Sequence, residues 1–183
     1  MTVIQANDKE YELLDFPFWH LVSKDGVFSD VFYHNVNLGE GILATVSLIA
    51  YSETINGFQT PYSFSRINDE KEMVFEQVRE SLYPHLPSRF KSLYVFDLIE
   101  TADKAKEEWF VNNQKDILEC RIVDGSVLHR ADATWLECSK PHWGENAKKY
   151  WSGETSDSPF IEVLVHGLVY FPKWILFNKK RLG

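Results

Sequence analysis

Ser92-Leu-Tyr-Val-Phe-Asp97 is a compact aromatic and β-branched run that leads, through Thr101, into Ala102–Phe110, where Ala102, Ala105 and Trp109 recur at helical spacings. The run has the composition of a core strand. Thr101 is a candidate cap, because its hydroxyl can accept from an unpaired N–H of the first turn. A strand entering a helix excludes an all-β or all-α chain. The flanking segments then decide between regular βαβ repetition and a segregated α+β arrangement.

Upstream, Asn68 or Asp69 is placed to cap a helix through Glu70, Met73, Val74, Val78 and Leu82, whose spacings of three and four predict one apolar stripe. Pro84 and Pro87 stop it. The first third reads as short strands and turns punctuated by Gly26, Gly39, Gly41 and Gly57. Within it, Val31-Phe-Tyr-His-Asn-Val36 reads as a strand with Phe32 and His34 on one face, and Ile42–Tyr51 fits a helix or a buried strand equally. Downstream, Asp116–Val123 reads as a strand, Asp124-Gly125 as a turn, and Val127–Leu136 as its continuation. A short helix, Ala147–Trp151, lies among loops marked by Pro141, Gly144 and Gly153. Phe160-Ile-Glu-Val-Leu-Val165 is the cleanest late strand, with Glu162 and Leu164 on one face and Ile161, Val163 and Val165 on the other. Gly167 breaks it before Leu168–Phe171. Strands outnumber helices, and no repeat or Gly/Ser-rich linker interrupts the 183 residues. The expectation is one α+β domain over residues 1–183.

Lys and Arg number 19 against 27 Asp and Glu, a net charge of −8, and 44% hydrophobic with 25% charged residues is a globular balance that excludes wholesale disorder. The acidic opening Met1–Asp15 has the wrong charge sign for a signal peptide. The apolar runs Gly41–Ala50 and Phe160–Tyr170 fall short of the roughly 20 residues that cross a bilayer. A soluble, cytoplasmic protein with no membrane partner is expected. Cys120 and Cys138 are too few for a disulfide scaffold, and with His129 and His142 they lack the paired spacing of a metal site, so no metal is expected. The acidic balance disfavours broad nucleic-acid affinity, although the tail Lys173–Arg181 is locally basic.

Phosphate-cradling glycine motifs, HExxH and GxSxG are absent. Chemistry therefore has to be sought in isolated polar side chains. Glu162 interrupts an apolar strand: if its face is buried, the carboxylate needs a partner, a ligand or a proton, whereas an edge strand would simply turn it to solvent. His34 can bind a ligand hydroxyl or satisfy nearby backbone. Tyr94 offers an aromatic face for a planar cation, or core packing.

The segments Phe32-Tyr33-His34, Leu86-Pro-Ser-Arg-Phe-Lys-Ser-Leu-Tyr-Val-Phe-Asp97 with its following helix, and Phe160-Ile-Glu-Val-Leu-Val-His-Gly167 together resemble the small bacterial mono-ADP-ribosyltransferase-like proteins, a family of bacteria and phages. The resemblance implies a bent mixed β core gripping NAD, with a histidine or arginine on an early strand and a glutamate on a late one. Matched residue by residue, His34 takes the early position, Tyr94 or Ser92 the middle and Glu162 the late. Tyr83 and Tyr94 are also spaced as in the histidine-tyrosine-glutamate branch, but Pro84 and Pro87 oppose the helix found between those tyrosines. The implied activity is transfer of ADP-ribose from NAD, with nicotinamide leaving, to an acceptor that is a protein, a nucleic acid, a small molecule or water. Glu162 would stabilise the cationic ribosyl centre, Tyr94 stack on nicotinamide, His34 orient the adenosine ribose, and Arg89 or Arg66 contact the pyrophosphate. Arg89 also reads as a surface ion pair beside the Pro-rich turn. The competing reading is a noncatalytic binding module, such as an antitoxin, immunity or adaptor protein, using Trp135, Trp143, Trp151 and Trp174 as an aromatic interface.

Overall fold

The computed structural model describes residues 2–49, 60–66, 68–110 and 114–175. In chain order they form β1 (Thr2–Ala6), β2 (Lys9–Leu13), β3 (Phe18–Ser23), α1 (Val27–Leu38), β4 (Ile42–Ala44), α2 (Val46–Ile49), α3 (Pro61–Arg66) and α4 (Glu70–Leu82). Then follow β5 (Leu93–Val95), α5 (Ile99–Trp109), β6 (Lys115–Ile122), β7 (Val127–Asp132), α6 (Trp143–Ser152), β8 (Ile161–His166) and β9 (Leu168–Tyr170). The strands make a β1-β2 ribbon, a four-stranded sheet in the order β3-β6-β9-β4 and a three-stranded sheet in the order β5-β8-β7. Pairings β1–β2, β3–β6, β6–β9, β4–β9 and β7–β8 are antiparallel. The class is α+β, with several antiparallel sheets and short helices. Among the described residues no helix is long and apolar enough to cross a membrane.

The chain gathers into two compact units, each discontinuous in sequence. The first comprises Met1–Ala44, Val95–Ser126 and Gly167–Gly183. Its long pair β3–β6 runs from Phe18 opposite Cys120 to Ser23 opposite Lys115, and buries Phe18, Val22, Leu118 and Cys120. A second cluster packs Ala6, Leu13, Ile42 and Val123 against Tyr11 and Tyr170.

The segment Val31–Val36 is not a strand: it lies inside α1, which buries Ser29 and Val36. Six residues of alternating character do not exclude a helix, and the reversal at Gly39 decides the outcome. A Cβ on Gly39 would lie 1.9 Å from the Ile42 carbonyl oxygen, so glycine alone lets the chain turn from α1 directly into β4. Ile42–Tyr51 uses both open alternatives in succession, β4 then α2, with Ala50 and Tyr51 outside the described residues, as is Gly57. Helix α5 starts at Ile99, before Thr101, and buries Ala102 and Ala105 as its spacing predicts. From the basic tail, Lys173 pairs with Glu119 at 2.8 Å, while Lys179, Lys180 and Arg181 lie outside the described residues.

The second unit comprises Thr45–Tyr94 and Val127–His166. Strand β8 is central in its sheet, and Glu162, Val163, Leu164 and Val165 are all buried, so both faces are covered. One-sided exposure of Glu162 is thereby excluded. Helices α4 and α6 pack Phe75, Ala147, Tyr150 and Trp151 against Ala131 and Leu164. The Trp151 indole donates to the Phe75 carbonyl at 2.7 Å, tying α6 to α4. Helix α6 begins at Trp143, four residues before the expected start at Ala147, and ends where Gly153 turns left-handed at φ 76°.

At the end of β7 the strand continuation expected through Leu136 becomes a 3-10 turn over Ala133–Leu136, because Asp132 caps it. The Asp132 carboxylate accepts from the N–H groups of Thr134 (3.0 Å), Ser156 (2.7 Å) and Phe160 (2.9 Å), fixing the loop that enters β8. Burial alone would raise its pKa, but these N–H donors outweigh burial and hold it down at about 2. Because the folded value lies below the ordinary one, the stabilisation is complete above pH about 4 and is lost as pH falls through about 2. Asp132→Ala is expected to cost about 3 kcal/mol at neutral pH, measured by urea unfolding, with the difference from the parent shrinking as pH is lowered through that window.

Candidate functional site

The site is built around Arg89, which is 2% exposed, so the competing reading of it as a surface ion pair beside the Pro-rich turn is overturned. The turn before β5 aims it inward. Ser88 accepts at its carbonyl from both the N–H (3.0 Å) and the hydroxyl (2.6 Å) of Ser92, and the Tyr94 hydroxyl donates to the Arg89 carbonyl at 2.8 Å. Backbone and β5 together leave the guanidinium one direction to point, into the second unit's interior.

Helix α4 meets it with an acid. Asp69 caps this helix by accepting from the N–H groups of Lys71 (3.0 Å) and Glu72 (3.4 Å). The buried positions of α4 are Glu72, Phe75 and Glu76, while Met73 and Leu82 of the expected apolar stripe are 45% and 53% exposed. Val78 of the stripe packs against the core, but at Met73 and Leu82 the stripe gives way to buried carboxylates that two arginines compensate: Arg89 Nε donates to Glu72 Oε2 at 2.9 Å, and Arg79 Nε to Glu76 Oε1 at 2.9 Å.

Strand β8 and helix α6 supply the other side. Arg89 Nη1 donates to Glu162 Oε1 and, at 2.5 Å, to the Tyr150 hydroxyl, which itself donates to Glu162 Oε1 at 2.5 Å. Arg89 Nη2 donates to the Tyr62 hydroxyl of α3 at 2.6 Å, and Tyr62 shares a hydrogen bond with Glu72. The guanidinium also lies 4.9–5.5 Å from the ring centroids of Tyr150, Tyr62 and Tyr94. One cation thus sits between two Tyr–Glu pairs inside an aromatic box.

The electrostatics follow. Burial pushes the Tyr62, Tyr94 and Tyr150 hydroxyls well above their ordinary range, more than Arg89 pulls them down, so all three remain neutral donors. Burial opposes the charge on Arg89, but Tyr150, Tyr62, Tyr94 and Glu162 outweigh it and keep the guanidinium cationic. Behind Tyr150, His129 stacks on Trp151 at 5.2 Å, and burial lowers its pKa to about 4, so it adds no charge near neutral pH. Two carboxylates thus face one guanidinium in a desolvated space. Such a space favours a cation and disfavours another anion.

Of the residues expected to act, Glu162, Arg89 and Tyr94 come together here. Ser92 is buried in the turn that holds Arg89, its hydroxyl engaged by Ser88. Arg66 is exposed and pairs with Asp69 at 3.0 Å. His34 is exposed on α1 of the first unit, not on a strand. The histidine carried by an early strand in that unit is His20 on β3, its ring stacked on Phe32 at 5.3 Å. Glu72, Tyr62 and Tyr150 escaped the sequence reading. Glu72 alone left a signal, being three residues from its cap and in phase with Phe75 and Glu76.

Cys120 is buried in β6, where burial pushes its thiol up, and Cys138 is half-buried. The indoles of Trp135, Trp143 and Trp151 donate to the carbonyls of Glu154, Cys138 and Phe75. An open groove of about 700 Å³ runs along α4 past Met73, Gln77, Lys140 and Trp143. At 100° per residue, Met73 and Gln77 lie on the helix face away from Glu72, so groove and ionic cluster are separate features.

Removing the cation should leave both carboxylates buried without their common partner. Arg89→Met is expected to destabilise the protein by about 4 kcal/mol in urea unfolding, and adding Glu72→Gln and Glu162→Gln to that variant should restore much of the loss.

No curated protein matches the chain. Residues 34–176 match the family described as "Protein of unknown function (DUF2441)", a span that includes Tyr62, Glu72, Arg89, Tyr150 and Glu162, and the chain belongs to that family.

Proposed function

We propose that the protein transfers ADP-ribose from NAD to an acceptor with release of nicotinamide, and that its core is of the bent, ADP-ribosyltransferase-like kind. The observation that carries this reading is the desolvated Glu162 carboxylate on the central strand, gripped through one oxygen by Arg89 and Tyr150 in a cluster where carboxylates outnumber guanidinium. That charge balance suits the cationic nicotinamide-bearing end of NAD. It does not suit the pyrophosphate, and Arg89, whose donors go to Glu72, Glu162, Tyr62 and Tyr150, is better read as the support of Glu162 than as a phosphate contact.

In the reaction the bond between the ribose anomeric carbon and the nicotinamide nitrogen breaks, its electron pair leaving with nicotinamide. The sugar carbon becomes oxocarbenium-like. Glu162 stabilises that charge and holds a ribose hydroxyl, and this accelerates the step to the extent that the attraction is stronger in the transition state than in bound NAD. An acceptor attacks the opposite face and loses a proton; water as acceptor gives free ADP-ribose. Tyr94 remains the proposed aromatic platform. His34, exposed on α1 of the first unit, is given no part in the reaction.

Incubation with NAD and a cell extract should yield nicotinamide together with an ADP-ribose adduct on an acceptor, read by mass spectrometry. Glu162→Gln keeps an acceptor oxygen for Tyr150 and Arg89, and should lower nicotinamide release by about 100-fold while circular dichroism stays unchanged. Full activity in that variant, or no turnover of NAD by the parent, overturns the reading. The second reading, a noncatalytic binding module, is favoured by the groove beside Met73 and Trp143. It requires that a captured macromolecule leave NAD intact and that Trp143→Ala abolish the capture.

A further inference from the structure

We propose that Tyr150 is a positioning residue for Glu162: it holds one carboxylate oxygen so that the other is presented to the cation forming at the ribose. What Glu162 does rests on the transfer reading above; how Glu162 is held does not. Both donors converge on Oε1, the Tyr150 hydroxyl at 2.5 Å and Arg89 Nη1 beside it. Two donors on one oxygen fix the carboxylate's rotation about its terminal bond, which a single donor would leave broad.

Tyr150 can impose that geometry because its own ring is immobilised. It is fully buried, edge-on to Trp151 at 4.9 Å and to Phe75 at 5.7 Å. Being neutral, it orients the carboxylate without cancelling its charge, which a lysine in its place would do. Tyr62 provides a natural contrast. It is a second phenol on the same guanidinium, bound to Nη2 at 2.6 Å, but its carboxylate partner is Glu72 rather than Glu162.

The test compares Tyr150→Phe with Tyr62→Phe in the full chain, since each removes one hydroxyl from Arg89 and keeps the ring. Tyr150→Phe should lower kcat for nicotinamide release about tenfold with KM for NAD nearly unchanged. It should also shift the carboxyl-carbon NMR resonance of Glu162, assigned by its loss in Glu162→Gln. Tyr62→Phe, whose lost hydroxyl meets Arg89 Nη2, should leave that resonance in place. An unmoved Glu162 resonance in Tyr150→Phe, an equal shift of it in Tyr62→Phe, or an unchanged kcat in Tyr150→Phe overturns the positioning role. A parent that releases no nicotinamide, with the resonance moving in Tyr150→Phe alone, overturns the transfer reading and leaves the positioning contact standing. If Tyr150→Phe folds poorly, fluorotyrosine at position 150 keeps the packing and strengthens the donor, and the same resonance must move.

Discussion

A guanidinium buried between two carboxylates organises the second unit. Taking Arg89 out of water is expensive, and the expense is offset only while Glu72, Glu162, Tyr62 and Tyr150 all keep their places around it. These partners come from three helices and a strand, so the cluster couples elements far apart in sequence. The Tyr94 hydroxyl extends the coupling to the backbone, since it holds the carbonyl of the arginine itself.

The same arrangement accounts for where apolar packing yields. Helix α4 buries Glu72 and Glu76 while leaving Met73 half exposed, an inversion of amphipathic order that is tolerable only because Arg89 and Arg79 face those acids. Around the polar centre the packing is dry and aromatic. Phe75, Tyr150, Trp151 and His129 make edge-on and stacked contacts that leave the phenol of Tyr150 little rotational freedom. Low dielectric and rigid donors are also what a site needs if it is to favour a transient cation over a resting ligand.

Several elements were legible because local chemistry determined them. The cap at Asp69 and the prolines after Leu82 delimited α4, Asp124-Gly125 marked the turn before β7, and the apolar run ending at Val165 was a strand. The misreadings share a cause. Val31–Val36 alternates like a strand, yet the steric demand at Gly39, which only the folded chain reveals, belongs to the end of a helix. Thr101 has cap chemistry, but α5 begins before it, and the helix start carries no side-chain cap at all.

For the candidate site, the sequence by itself determined that Glu162 was anomalous: a charge in an apolar run must be compensated or exposed. Composition and local pattern also determined the α+β class, because strand runs and capped helical segments are short-range signals. Only the tertiary structure decided which alternative Glu162 took, since compensation depends on residues 73 positions away at Arg89 and 12 away at Tyr150. Coulombic and hydrogen-bonding partners are chosen by distance in space, and no periodicity along a chain encodes that distance.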